Sequence, residues 1–316
     1  MSSKLYIQNR LYNVNDRLIA LDLYERIEKW IEDGVLVDME SSFLPFKSSN
    51  NNSCGGEAGI FQMDRQALEE CAGVVGYFDG WTYDPGCAFE IGCGYAWGYP
   101  IHLITTDIFQ SSVGNSAEYY HASKLVEHIS TMVAVSDLNQ DISDYRERNT
   151  DVLNRAIEEF KQNLIIDFGE PRKASGKIGA LPIEYDYYID PNFKYYEPAR
   201  MVLEQIIKAI EAADKTYIIG DNQGDIDKDL EQVRKSGRGI FYFDTAEPNV
   251  DSGVLQGFSY GLGRKPLVYA SSEQRIMMSG QWVIQLNTMN YWCAQKVATT
   301  IEELVCAIKG EKSEEQ

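Results

Sequence analysis

Two carboxylates frame one short stretch, Asp84-Pro-Gly-Cys-Ala-Phe-Glu90-Ile-Gly, with small residues between them. Gly86 and Ala88 allow a backbone to approach a ligand closely. A helix that begins near Gly86 carries Glu90 one turn in, where helix-end amides favour the ionised form. A carboxylate that stays ionised and faces a cleft is a nucleophile. Together with Asp84 it suits paired-carboxylate chemistry at an acetal-like carbon. On spacing alone the pair also reads as two solvated acids, the commoner fate of such residues.

The elements around this stretch decide what it can face. GVVGYFD (73–79) precedes it and reads as a buried strand, so the Asp84 loop sits at the carboxyl edge of a sheet, where open α/β sheets bind ligands. KLYIQN (4–9) is a first strand. A helix after Asn15 shows Leu23, Ile27, Trp30 and Ile31 at helical spacing. VLVDMESSFLPF (35–46) reads as a second strand running into a loop, followed by a helix around 61–72. PIHLITTD (100–107) and TMVAVSDL (131–138) are further strands, and Leu153, Ile157, Phe160 and Leu164 mark a long helix. Strands alternating with helices predict a parallel sheet covered on both faces.

A Gly/Pro- and charge-rich segment, 167–180, reads as a linker, after which the order restarts. EYDYYID (184–190), KTYIIGD (215–221), GIFYFD (239–244), PLVYASS (266–272) and QWVIQL (281–286) are strands, with a last helix near 300–309. The two runs share more than their order. Tyr-Phe-Asp ends a strand at 77–79 and again at 242–244. Asp-x-Gly follows at Asp84 and at Asp251. Asp64 precedes Asp79 by the same interval that separates Asp229 from Asp244. The chain therefore reads as two tandem Rossmann-like (flavodoxin-like) three-layer α/β domains with parallel sheets, 1–170 and 171–316.

Composition narrows the partners. The formal net charge is −19, and no stretch gathers Lys and Arg into a groove, which disfavours long nucleic acid. The amino terminus has no apolar leader region, and no run is long enough to span a membrane, so the expected compartment is the cytosol. Six cysteines in that compartment read as free thiols. The three histidines and the cysteine spacing give no structural metal site. Tyr185, Tyr187, Tyr188, Tyr195 and Tyr196 crowd one segment and read as an interface between the halves. Trp81, just before Asp84, stands where it could line a base pocket, and Arg10 where it could meet a phosphate.

The stretch YDPGCAFEIGCGYAWGYP (83–100) strongly resembles the nucleoside 2-deoxyribosyltransferase family, which carries Asp-x-Gly-x-x-x-Glu-x-Gly, a Tyr/Ala-rich helix and then Gly-Lys-Pro; here Tyr99 replaces the lysine. KLYIQNRLYN resembles the family's first strand, with Tyr6 matching its tyrosine and Gln8, Asn9 and Arg10 replacing Ala-Gly-Pro. FLPF (43–46) resembles the loop after the second strand, and Asp64 matches another family acid. LNTMNYW (286–292) resembles the family's Asn-x-Met motif at Asn287 and Met289.

The resemblance implies a mechanism in which Glu90 attacks the anomeric carbon, Tyr6 holds Glu90, and Asp64 and Asp84 contact base and sugar. It places Asn287 at the 5′ end of the sugar, a residue that a neighbouring subunit supplies in the family. Met289, Gln8, Gly86 and Trp81 complete the expected substrate contacts, and no cofactor or metal is implied. In the second half Gln256 falls at the nucleophile position, and Ser130 stands where the first half would carry the asparagine. The expectation is one composite site per chain, with the halves packed as an intrachain pseudo-dimer and further homo-oligomerisation left open. The implied reaction is sugar transfer from a 2′-deoxyribonucleoside to a free base. Hydrolysis of a nucleoside or nucleoside monophosphate, or a non-catalytic nucleotide sensor, are the alternatives.

Overall fold

The computed structural model describes residues 4–11, 13–49, 54–79, 84–107, 110, 118–135, 145–170, 176–195, 197–221, 224–244, 250–271, 275–278, 281–284 and 286–310. The first half runs β1 (Lys4–Gln8), α1 (Val14–Glu32), β2 (Ser41–Phe43), α2 (Pro45–Ser48), α3 (Glu57–Glu69), β3 (Gly73–Tyr77), α4 (Pro85–Ala96), β4 (Ile101–Thr105), α5 (Lys124–Ile129), β5 (Thr131–Ala134) and α6 (Tyr145–Phe168). Its five strands are parallel in the order β2-β1-β3-β4-β5. The chain winds to one side of β1 and then to the other, so β1 and β3 flank a topological switch point.

The second half runs β6 (Tyr185–Ile189), α7 (Asn192–Tyr195), α8 (Glu197–Ala212), β7 (Tyr217–Ile219), α9 (Ile226–Arg234), β8 (Ser236–Tyr242), α10 (Val250–Gly261), β9 (Leu267–Tyr269), β10 (Arg275–Met278), β11 (Gln281–Ile284), α11 (Thr288–Trp292), β12 (Lys296–Ala298) and α12 (Ile301–Lys309). Its sheet, β12-β9-β8-β6-β7, is also parallel and repeats the winding of the first. Tyr6 and Tyr188 hold equivalent registers in their sheets. Tyr6 pairs with Val74, and Tyr188 pairs with Gly239, three residues before the Tyr-Phe-Asp tripeptide in each half.

Side chains alternate along each strand. In the first sheet Leu5, Ile7, Val75 and Ile104 pack under α1 and α6, whereas Tyr6, Val74 and Leu103 face the opposite way. That opposite face joins a central apolar cluster that also holds Phe89, Val254, Phe258, Tyr188 and Phe241, from α4, α10 and the second sheet. Helix α4 is buried on nearly every side, the mark of a helix enclosed by protein. It lies against α10 at very short range. A Cβ added at Gly92 would stand 2.0 Å from the Val254 carbonyl oxygen, and one at Gly257 would stand 2.0 Å from that of Phe89. Cys93 Sγ and Trp97 Nε1 donate to the carbonyls of Gly257 and Gly261 at 3.2 and 3.1 Å, sealing the seam.

Several expected elements come out differently. Of 35–46 only Ser41–Phe43 is strand. Gly34 turns at φ 69°, and the amides of Val35 and Leu36 donate to the Trp30 carbonyl; Leu36 and Met39 turn into the core while Val37 stays exposed. Helix α1 starts earlier than expected, because Asn13 and Asp16 form a capping box. The strand at 281–284 pairs antiparallel with 275–278, outside the second sheet, whose fifth strand is the three-residue β12. Tyr187 packs inside the second half and donates to the Ile308 carbonyl, so the tyrosine-rich segment is not simply an interface. All six cysteines are free. Among the described residues no helix is long and apolar enough to cross a membrane.

Candidate active site

Asp84 caps α4: its Oδ1 accepts from the Gly86 amide at 2.7 Å, and Pro85 occupies the first turn, where a missing N–H costs nothing. One and a half turns on, Glu90 reaches back toward the first strand. The Tyr6 hydroxyl donates to Glu90 Oε1 at 2.7 Å, and both residues are buried. Burial is the chief influence on the Glu90 carboxyl and pushes it well above the ordinary glutamate range. The Tyr6 hydrogen bond opposes that shift, and the charges of Asp64 and Asp84 add to it. The sequence reading expected the helix end to favour the ionised form; desolvation in this enclosed helix outweighs it. The same burial, then Glu90 and Asp64, holds the Tyr6 phenol up, so it stays a donor.

Asp64 comes from α3. It accepts from Ser49 Oγ at 2.7 Å, and burial raises its carboxyl to about 6 despite that bond. Asn287, the cap of α11, arrives from the other half of the chain. Its Nδ2 donates to Asp84 Oδ1 at 2.7 Å, while its Oδ1 accepts from the Met289 amide at 2.8 Å. Gly86 makes that approach sterically feasible, since a Cβ there would lie 2.4 Å from Asn287 Oδ1.

A cleft open to solvent reaches this region at Asp84. Its wall is formed by Asn9, Arg10, Asp16, Ile19, Tyr77, Phe78, Asp79, Asp84 and Cys87, the carboxyl ends of β1 and β3 together with the starts of α1 and α4. It therefore opens at the switch point, where doubly wound sheets hold ligands. Glu90 is not part of that wall and is 6% exposed. Arg10 is gripped by Asp16 through Nε and Nη2, each at 2.8 Å. Although burial opposes it, that guanidinium holds Asp16 below the usual carboxylate range. Asp79 clamps the end of β4 through the Thr106 amide at 2.6 Å.

The structure thus brings Glu90, Tyr6, Asp64, Asp84, Gly86 and Asn287 to one region. Gln8 is not part of the cleft wall: it is fully buried and donates to the Tyr77 carbonyl at 3.1 Å, while its neighbours Asn9 and Arg10 line the cleft. Met289 packs in the central cluster, and Trp81 lies outside the described residues. Asp16, Asp79 and Cys87 were missed as cleft residues. The repeated Tyr-Phe-Asp was the available signal for Asp79; Asp16 carried none beyond its capping position. In the second half Tyr188 donates to both oxygens of Asp229, at 3.0 and 3.1 Å, and Gln256 sits fully buried. Ser130 bonds back to the Val126 carbonyl at 2.7 Å.

The fold and this site define a doubly wound α/β protein with a buried, tyrosine-held glutamate beside a switch-point cleft. The family model described as nucleoside 2-deoxyribosyltransferase matches residues 20–164, the part of the first half that holds Asp64, Asp84 and Glu90. No curated protein matches the chain.

Proposed function

We propose that the protein cleaves the N-glycosidic bond of a 2′-deoxyribonucleoside and transfers the sugar to another base. The observation that carries this reading is the 2.7 Å hydrogen bond from Tyr6 to Glu90, made beside Asp64 and Asp84 in a domain of the matching family. Tyr6 occupies Oε1, which leaves Oε2 to attack the anomeric carbon. The C1′–N bond breaks as the C1′–O bond forms, and its electron pair leaves with the base. Asp64, whose carboxyl sits at about 6, can hold a proton near neutrality and give it to that base. An incoming base then displaces Glu90 from C1′ and returns its proton to Asp64, so the enzyme is regenerated. Asp84 and Asn287 bind the sugar.

In this reading residues 1–170 and 171–316 are tandem copies packed as a pseudo-dimer, the second lacking the nucleophile and completing the site. The shared winding of the two sheets, the matched register of Tyr6 and Tyr188, and the Asp84–Asn287 contact support it.

The test is base release from a panel of deoxyribonucleosides and their monophosphates, with and without an acceptor base, alongside Glu90→Gln. Intact-mass analysis of the protein mixed with substrate alone should show one added deoxyribosyl group, absent in E90Q. Free sugar without acceptor would make the protein a hydrolase, and binding without turnover of any substrate would refute the enzyme reading.

A further inference from the structure

Gln256 stands on α10 where the sequence correspondence places Glu90 on α4, and it is fully buried. Its amide is completely engaged. Nε2 donates to the Asn290 carbonyl at 2.9 Å and to Cys293 Sγ at 3.2 Å, and Oε1 accepts from Asn290 Nδ2 at 2.7 Å. Every one of these bonds ends on α11 or on Cys293, the residue that closes it. Helix α11 has five residues, too few to persist without outside support. Its first cap is Asn287, the side chain that crosses to Asp84 and approaches Gly86.

An amide is required for this set of bonds. It offers a donor and an acceptor at once, whereas a carboxylate offers acceptors only and would face the Asn290 carbonyl with like polarity. Tyr188, freed from the glutamate that Tyr6 holds in the first half, donates to Asp229 instead.

We infer that Gln256 is a positioning residue for the Glu90 site: the amide at the second half's nucleophile position pins α11 and so holds Asn287 against Asp84. The loss of one carboxylate and the placement of the asparagine in the other half's site are then one structural event. The inference takes its activity readout from the proposed reaction, so a second readout independent of substrate is needed.

Gln256→Glu, nearly isosteric, supplies both. While protonated, the new carboxyl can still donate to the Asn290 carbonyl; once ionised it loses both donor bonds. Relative to wild type at the same pH, hydrogen exchange at the amides of residues 289–293 should be near normal at about pH 5 and faster by roughly tenfold at about pH 8, the scale of one or two lost hydrogen bonds. The kcat/KM for base release, again relative to wild type at the same pH, should fall by about tenfold over the same interval. Combined with Asn287→Ala, Gln256→Glu should add little further loss, because nothing remains to position. Exchange unchanged at every pH, or losses that multiply in the double variant, would overturn the inference. If Gln256→Glu does not fold, Gln256→Met, which keeps the volume and no hydrogen bond, should give a pH-independent loss that again vanishes in the Asn287→Ala background. A wild type that releases no base would defeat the proposed reaction, while the exchange result would still decide the clamp.

Discussion

The Tyr6 hydroxyl donates to Glu90 Oε1 over 2.7 Å, joining the first strand to a helix 84 residues further along the chain. This bond lowers a carboxyl otherwise raised by burial and by neighbouring acids. Tyr6→Phe should therefore move Glu90 still higher. Since attack needs the ionised form, the acid limb of the kcat/KM–pH profile should shift to higher pH, with a loss of roughly 10-fold or more at neutrality. A profile that keeps its midpoint would show that the bond does not tune the nucleophile.

Glu90→Gln should stabilise the fold while abolishing turnover. The folded state holds the Glu90 proton more tightly than the unfolded chain does. Ionisation therefore costs stability progressively as pH rises above the ordinary glutamate value. The neutral amide escapes that cost, so its melting temperature should exceed the wild type's by a margin that widens with pH. Equal melting temperatures across the range would place less strain on Glu90 than its burial implies.

Asp64, Asp190 and Asp229 each sit at about 6, above the ordinary aspartate value of 3.8, chiefly because each is buried. Below the ordinary value both states are protonated and nothing is lost; between about 4 and 6 the folded state alone keeps its proton, so stability declines as pH rises, and the loss is complete above. Thermal unfolding should thus show a falling midpoint from about pH 4 to pH 6. Asp64→Asn, at a residue that accepts from the Ser49 hydroxyl, should flatten part of that slope. Should the variant keep the full slope, Asp64 is not among its sources.

The glycines of α4 and α10 should separate site effects from scaffold effects. A methyl at Gly86 meets the end of the Asn287 side chain, which can swing aside, so Gly86→Ala should lower kcat/KM with a modest change in melting temperature. One at Gly257 meets the Phe89 carbonyl, which is backbone and cannot, so Gly257→Ala should cost on the order of 1–3 kcal/mol or more in stability. Chemical denaturation and steady-state kinetics on both variants would expose the reverse pattern if it holds.

Much of the site was legible because it is written in local runs. Asp84 and Glu90 share one short helix start, Tyr6 lies in the opening strand, and Asn287 stands in a compact motif. The winding of the sheets followed from the alternation of apolar runs. What escaped is what depends on contacts distant in sequence or on side-chain direction. Gln256 reads as a lost nucleophile until Asn290, 34 residues on, is seen to take its bonds. Gln8 and Asn9 are neighbours, yet only Asn9 reaches the cleft, because it lies just past the end of β1 while Gln8 still belongs to the buried strand. The run at 281–284 has the β-branched and apolar character of a strand, but propensity does not distinguish a hairpin from a place in the main sheet. Helix α11 and strand β12 are too short to leave a period.

The hydrogen bond between Asp84 and Asn287 spans 203 positions of one polypeptide. Two groups tied in this way meet at an effective concentration set by the intervening chain and not by the amount of protein in solution. A site assembled between separate molecules dissolves as the solution is thinned. The Asp84–Asn287 pair keeps its partners at any dilution.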